Sequence, residues 1–267
     1  MSISEYKNKL VVIKYGGNAM KSEELKNAVM DDIKALCDAG IKTVLVHGGG
    51  PEINNMLSRV GKKSEFINGL RVTDEETMEI VQMVLAGKVN KNLVTLLGLR
   101  GVKAIGLSGM DGRLIEAEQT KGPLGLVGEI TKINTEVIFD LLDKGYVPVI
   151  STIGVDEKGL ALNINGDTAA SYVAGAFKAD KIIMLTDVPG VLTDKDNPDT
   201  LIEKLSVSKA KELIRSGVID GGMIPKCDCC ELAIKSGVKE AVICDGRAPH
   251  AVTAQLSGEK NGTVFTE

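Results

Sequence analysis

The sequence predicts an α/β fold: a mostly parallel sheet covered by helices on both faces. Three observations lead there. Short apolar, β-branched runs alternate with longer helical patterns, which is the rhythm of repeated β-α-β units. Glycine-rich turns recur directly after those runs, at the strand ends where open parallel sheets bind ligands. The chain has 267 residues, 43% of them hydrophobic, enough for one large domain or two lobes at about 100–200 residues per domain.

The elements follow in order. KLVVIKY (9–15) and KTVLVHG (42–48) read as buried strands. SEELKNAVMDDIKALCDAG between them is an amphipathic helix that ends on Gly40. PEINNMLSRVG is a second helix and DEETMEIVQMVLAGKVNKNLVTLLGLRG a longer third. VKAIGLS (102–108) is the next strand. Residues 111–134, DGRLIEAEQTKGPLGLVGEITKIN, break the rhythm and read as a β-hairpin or small antiparallel insert. The helices NTEVIFDLLDKG and DTAASYVAGAFKAD precede the strands YVPVIST (146–152) and DKIIMLT (180–186). EAVICDG (240–246) is a sixth strand. No internal repeat or low-complexity linker interrupts the chain.

Composition excludes several function classes. Aromatic residues are only 3% of the chain, too few for the stacking platforms of a single-strand nucleic-acid binder. A net charge of −4 and a pI near 5.5 argue against a general affinity for nucleic acid or anionic membrane. No segment reaches the ~20 apolar residues of a membrane span, and MSISEYKNKLVVIKYGG lacks a signal-peptide pattern. A cytoplasmic protein is expected. The five cysteines (Cys37, Cys227, Cys229, Cys230, Cys244) are odd in number and irregularly spaced, unlike a disulfide framework. CDCC at 227–230 has no second cysteine pair to complete a metal site, so small residues on a helix face are expected there, with no metal.

The chemistry sits at the strand ends. Lys14 precedes Gly16 and Gly17, whereas a Walker A lysine follows its glycines. VHGGGPE places three glycines before a helix with Pro51 in its first turn, and free N–H groups there form an anion site. H-G-G-G is also an oxyanion-hole motif of lipase-like hydrolases, but these need a G-x-S-x-G elbow, and GLSGM (106–110) lacks its last glycine. The G-x-G-x-x-G of dinucleotide-binding dehydrogenases is supplied by neither GGNAMK nor GGGPEI.

Four further features need weighing. Arg71, in a polar turn of FINGLRVTDEE, is either a surface arginine or a fork for a carboxylate. In LNINGDTAAS, strand alternation points Asn163 and Asn165 to one side, and Asp167 is a plausible helix N-cap. A cap alone does not explain the preceding asparagines. Lys226, after two glycines and a proline, lies near a helix start, where a cation opposes the dipole unless an anion meets it. There is no nucleophilic Ser or Cys constellation and no histidine pair. Two lysines, one carboxylate, an arginine, asparagines and glycine nests suit phosphoryl transfer, which rests on positioning and charge neutralisation.

The set KYGGNA, VHGGGPEI, NGLRVT, LVGEITKIN, NINGDTAAS, LTDVPGVL and GGMIPK resembles the acetylglutamate kinases of the amino acid kinase superfamily, from about residue 9 to the C-terminus. The resemblance implies an αβα sandwich around a central, mainly parallel open sheet in two lobes: 1–178 for acetylglutamate binding and dimerisation, 179–267 for ATP. It implies that Lys14 and Lys226 stabilise the transferring phosphoryl group and that Asp167 orients both. Arg71 and Asn163 would hold the substrate's α-carboxylate side, Gly49 and Gly50 would contact the substrate by backbone, and Gly16 and Gly17 would approach the phosphates. Asp187, Gly190, Val218 and Asp220 would lie along ATP, with Mg²⁺ bound mainly through its phosphates. The implied assembly is a homodimer insensitive to arginine, since the tail departs from the pattern HxLLxELFT of arginine-inhibited members. A kinase of carrier-linked aminoadipate and a non-catalytic amino-acid sensor remain alternatives. A sensor should have lost a lysine or Asp167, and all three are present.

Overall fold

The computed structural model describes residues 2–20 and 22–267. β1 (Leu10–Tyr15) leads through α1 (Glu23–Asp38) to β2 (Lys42–His47) and α2 (Gly50–Arg59). A hairpin of β3 (Phe66–Ile67) and β4 (Leu70–Arg71) precedes α3 (Glu75–Gln82), which a π-helical segment (Met83–Val89) joins to α4 (Asn90–Leu99). Then come β5 (Ala104–Ser108), β6 (Ile115–Gln119), β7 (Gly128–Ile133), α5 (Glu136–Asp143), β8 (Val147–Ser151), β9 (Ile153–Val155), β10 (Ala161–Asn163), α6 (Gly166–Ala176) and β11 (Lys181–Thr186). The remainder forms β12 (Lys204–Ser206), α7 (Val207–Arg215), α8 (Met223–Lys235), β13 (Glu240–Asp245), α9 (Ala251–Ser257) and β14 (Gly262–Thr266).

Among the described residues, eight strands form one sheet in the order β12-β14-β13-β11-β1-β2-β8-β5. Neighbours are parallel except at β13/β14. β1 is buried along its whole length, as a strand covered on both faces must be. Val11 and Ile13 pack with Ile33 and Leu36 of α1 and Leu93 and Leu97 of α4. Val12 and its neighbour Val44 pack on the opposite face, with Ala169 and Val173 of α6 and Cys230 of α8. The sandwich expected from the sequence is present, and the 111–134 insert is the antiparallel β6/β7 hairpin. That hairpin sits in a second, four-stranded sheet ordered β10-β9-β6-β7.

The six apolar runs all form strands, within two residues of their expected ends. α1 begins where Ser22 accepts a hydrogen bond from the Leu25 amide, an N-cap that satisfies one free donor. β9, β10, β12 and β14 were not apparent as strands: the first three span only three residues each, and β14 is an edge-side partner of β13. Arg71 lies in a short strand instead of a polar turn, paired with Phe66.

Candidate active site

β1, β2 and β11 end at Tyr15, His47 and Thr186 on the same edge of the sheet, and a crevice opens beyond them. Strand alternation turns Lys14 toward α6. Its Nζ lies 2.8 Å from Asp167 Oδ1, an ion pair at hydrogen-bonding distance. Asp167 Oδ2 accepts a hydrogen bond from Lys226 Nζ at 3.4 Å. Lys226 is in the first turns of α8, and α6 and α8 pack directly against each other. A strand and two helices, remote in sequence, thus bring two cations to one carboxylate.

The electrostatics are decided by that pairing. Burial raises the pKa of Asp167, but the charges of Lys14 and Lys226 and their polar contacts outweigh it, leaving the carboxyl at about 2. It is ionised at any physiological pH. Two ammonium groups against one carboxylate leave a net positive charge of one in a pocket where Lys14 is only 9% exposed. Such a charge is costly to hold out of water unless an anion joins it.

The sequence expectation that Asp167 caps α6 needs correction. Asn165 is the N-cap, and its Oδ1 accepts from the amides of Asp167 and Thr168 at 3.0 and 3.1 Å. The Asp167 carboxylate is released from capping duty and faces the lysines. The signal was present in the order Asn-Gly-Asp-Thr: an N-cap oxygen reaches the amides two and three residues on, and Asn165 stands at that distance from Asp167 and Thr168.

On one side of the lysines, a cavity is lined by Gly48, Gly49, Gly50, Arg71, Asn163 and Asn165, among others. The structure brings the residues expected for substrate contact together there. Arg71 is 7% exposed. Its guanidinium donates to Ser64 Oγ at 2.8 Å and the Gly50 carbonyl at 3.4 Å, and it stacks on the Phe66 ring at 4.7 Å. No carboxylate pairs with it among the described residues, and burial lowers its pKa. Asn163 Nδ2 donates to Thr73 Oγ1 at 3.1 Å, leaving its carbonyl oxygen without a partner among the described residues. Ser64 and Thr73 hold Arg71 and Asn163; Ser64 stands in no recognisable motif, and Thr73, although it closes NGLRVT, was not singled out as a site residue.

On the other side, Asp187, Gly190, Val218 and Asp220 line a second cavity of ≈ 370 Å³, together with Lys195 and Lys226. Lys226 therefore borders both the nucleotide-sized cavity and the Asp167 pair. Gly190 has φ +146, and a Cβ there would sit 2.6 Å from Thr263 Oγ1. Its glycine is required by the turn's conformation and packing on β14. Gly16 lies beside the Lys14 ammonium, where a Cβ would be 3.4 Å from Nζ. Gly17 is exposed with φ +66. Cys227, Cys229 and Cys230 are buried free thiols on α8, and burial pushes the first two up to about 12 and about 11, where thiolate chemistry is suppressed.

A parallel sheet with glycine nests at its strand ends and two lysines converging on one carboxylate defines a phosphotransferase-type site. The chain belongs to the amino acid kinase family, whose pattern it matches over residues 9–245. Its relatives narrow the class. It is 51% identical to a Clostridium beijerinckii protein named acetylglutamate kinase, over 98% of this chain and 94% of that one. It is 48% identical to a Methanocaldococcus jannaschii protein of the same name, over 99% and 92% of the two chains. Among solved structures, smu.665 from Streptococcus mutans superposes with a TM-score of 0.80 at 33% identity, covering 96% of this chain and 98% of that one. N-acetylglutamate synthase from Neisseria gonorrhoeae, complexed with coenzyme A and N-acetyl-glutamate, gives 0.85 at 25% identity, with 99% of this chain and 61% of that one covered.

Proposed function

We propose that this chain catalyses ATP-dependent phosphorylation of the side-chain carboxylate of N-acetyl-L-glutamate, giving N-acetyl-L-glutamyl 5-phosphate for arginine biosynthesis. The observation that carries the residue-level reading is the pair of ammonium groups on Asp167 between two cavities. Arg71 and Asn163 take the α-carboxylate side of the substrate, and the amides of Gly49 and Gly50 meet its reacting end. ATP lies along Asp187, Gly190, Val218 and Asp220, with its phosphates over Gly16 and Gly17.

The reaction needs no general base. A glutamate side chain has an unperturbed pKa of about 4.3 and is already ionised at pH 7. The obstacle is electrostatic, because an anionic carboxylate must approach an anionic γ-phosphate. Lys14 and Lys226 place positive charge where negative charge gathers in the transition state, in a site shielded from water. Asp167 holds both ammonium groups in position before the reactants arrive, so little reorganisation is left for the chemical step.

Mg²⁺ enters as an ion carried on the ATP phosphates. No group of three His, Cys, Asp or Glu suited to a metal occurs among the described residues, and Asp167 is engaged by two lysines. Mg²⁺ commonly keeps water and phosphate oxygens in place of an all-protein cage, so the site fits such an ion, which neutralises phosphate charge when bound.

The division of labour follows the two cavities: residues 1–178 bind acetylglutamate and 179–267 bind ATP. A homodimer, indifferent to arginine and located in the cytoplasm, completes the reading. In support of the dimer, Met83 and Leu99 on the helical unit after the hairpin are 61% and 78% exposed. The deciding assay is ATP-dependent acyl phosphate formation from acetylglutamate, trapped with hydroxylamine as the hydroxamate. Folded protein that gives no ATP-dependent hydroxamate would falsify the reading.

A further inference from the structure

His47 is the last residue of β2 and is wholly buried. It lies directly before the glycine turn that lines the substrate cavity. Its Nδ1 is 2.9 Å from the Gly48 carbonyl oxygen. Its Nε2 is 3.0 Å from Asn90 Nδ2. The same amide nitrogen lies 2.9 Å from the Val149 carbonyl and 3.2 Å from that of Leu107, while Asn90 Oδ1 accepts from Lys91 Nζ at 3.1 Å. Asn90 is therefore oriented with its amide nitrogen toward the ring. The Gly48 carbonyl oxygen can only accept, so the ring proton must reside on Nδ1, and the bare Nε2 faces the Asn90 amide nitrogen, which is no acceptor. His47 thus donates to the Gly48 carbonyl.

The consequence falls on the next amide. In a trans peptide the C=O and N–H of one unit point in opposite directions. Drawing the Gly48 carbonyl toward the imidazole turns the Gly49 N–H the other way, away from the protein interior that holds the ring. The amides of Gly49 and Gly50 find no acceptor among the described residues, so they are free to bind an anion at the start of α2.

The π-helical segment holds the other side of this turn. The Asn90 amide donates to Leu85, five residues back, the widened turn often found at functional sites. Leu85 and Val89 from the same segment crowd Gly49, where a Cβ would lie 2.6 Å from Leu85 Cδ2 and 3.3 Å from Val89 Cγ2. Gly49 has an extended φ of 176°, so it is the close approach that requires glycine. The segment packs against Gly49 and leads directly into Asn90, whose side-chain amide faces the imidazole.

We propose that His47 is a positioning residue: fixed by Asn90 as the neutral Nδ1–H tautomer, it orients the Gly48–Gly49 peptide so that the Gly49 N–H faces the reacting carboxylate and phosphoryl group. The inference rests on the assignment of the glycine turn to the substrate's reacting end. No proton passes through His47; its work is done through the backbone.

The chain has only two histidines, His47 and His250, so ¹⁵N NMR of the labelled wild-type protein resolves both rings. His47 should show the Nδ1–H tautomer and stay neutral from pH 5 to 8. An Nε2–H tautomer, or protonation near pH 6.5, overturns the proposal. Kinetics supply the second arm. His47→Leu should lower kcat about 10- to 100-fold, the scale of a small misplacement of a reacting group, with the KM for ATP changed less than about twofold. His47→Asn, whose amide can donate from the Nδ1 position, should recover most of that loss. A folded His47→Leu enzyme with wild-type kcat, or an Asn variant no better than Leu, overturns the proposal. If His47→Leu does not fold, the NMR tautomer and the Asn variant decide. Wild-type protein without acetylglutamate kinase activity defeats the functional reading while leaving the tautomer measurement intact, so the two failures are distinguishable.

Discussion

Lys14 and Asp167 show how one side chain's value depends on another's. The lysine is nearly buried, and its charge is tolerable because Asp167 lies 2.8 Å away. Lys14→Ala removes one of the two cations that meet the developing charge. Its kcat should fall by about 10²–10³, the typical cost of one preorganised transition-state contact, while the KM for ATP rises much less. Steady-state kinetics at saturating acetylglutamate measure both, and an unchanged kcat removes Lys14 from the mechanism. The titration of the same region gives a second expectation. Asp167 falls from an ordinary 3.8 to about 2 on folding, so it contributes stability above pH 4 that is lost as pH drops toward 2. His47 also destabilises in acid, through the same linkage but from a different cause. Burial lowers its pKa from 6.5 to about 4, so between those values the unfolded chain binds a proton that the folded chain refuses. Stability should therefore decline from pH 6.5 downward, by up to about 1.4 kcal/mol per pH unit from this one group. Urea melts between pH 7 and 4 test it, and His47→Asn should flatten that part of the profile.

At the scale of elements, the Asp167 carboxylate is aimed by a helix cap. Asn165 satisfies the Asp167 and Thr168 amides, and the first turn of α6 carries Asp167 toward both lysines. Asn165→Ala should cost about 1 kcal/mol of stability, the usual loss for an N-cap, and should also lower kcat because the turn that bears Asp167 loosens. A thermal melt with parallel kinetics separates the two effects; a stability loss with full kcat would confine Asn165 to capping. This element also shows where sequence reading succeeds and stops. The six long strands were legible because strands buried on both faces must be continuous apolar runs. β10 spans three residues before the cap, too short for periodicity to register, and so the cap was misplaced by two residues. The π-helical segment left no trace in the pattern, because MVLAGKV continues the helical periodicity of its neighbours. Arg71 was legible as a candidate fork, but its burial against Phe66 and Ser64 depends on a hairpin of two-residue strands that no local signal marks.

For the whole molecule, two cavities open beyond one continuous sheet. β1 and β11 are adjacent and parallel, so Lys14, at the end of β1, sits where the two halves meet. The substrate-side cavity draws its lining from residues 48–166 and the other from residues 187–226. Such an arrangement predicts a crossed pattern of Michaelis constants. Arg71→Lys keeps the charge but loses the planar fork, which is not a conservative change at a carboxylate site. It should raise the KM for acetylglutamate at least about tenfold, equivalent to about 1.4 kcal/mol of lost binding, and leave that for ATP nearly unchanged. Lys195→Ala removes an exposed cation from the other cavity; a solvated charge contributes about 0–1 kcal/mol, so the KM for ATP should rise a few-fold with acetylglutamate unaffected. Lys226 lines one cavity and pairs with Asp167, and it should respond differently from either, through kcat. Two-substrate kinetics on the three variants distinguish these outcomes. If Arg71→Lys shifted both Michaelis constants equally, the two halves would not bind their ligands separately, and the assignment of residues 1–178 to the acceptor and 179–267 to the nucleotide would have to be abandoned.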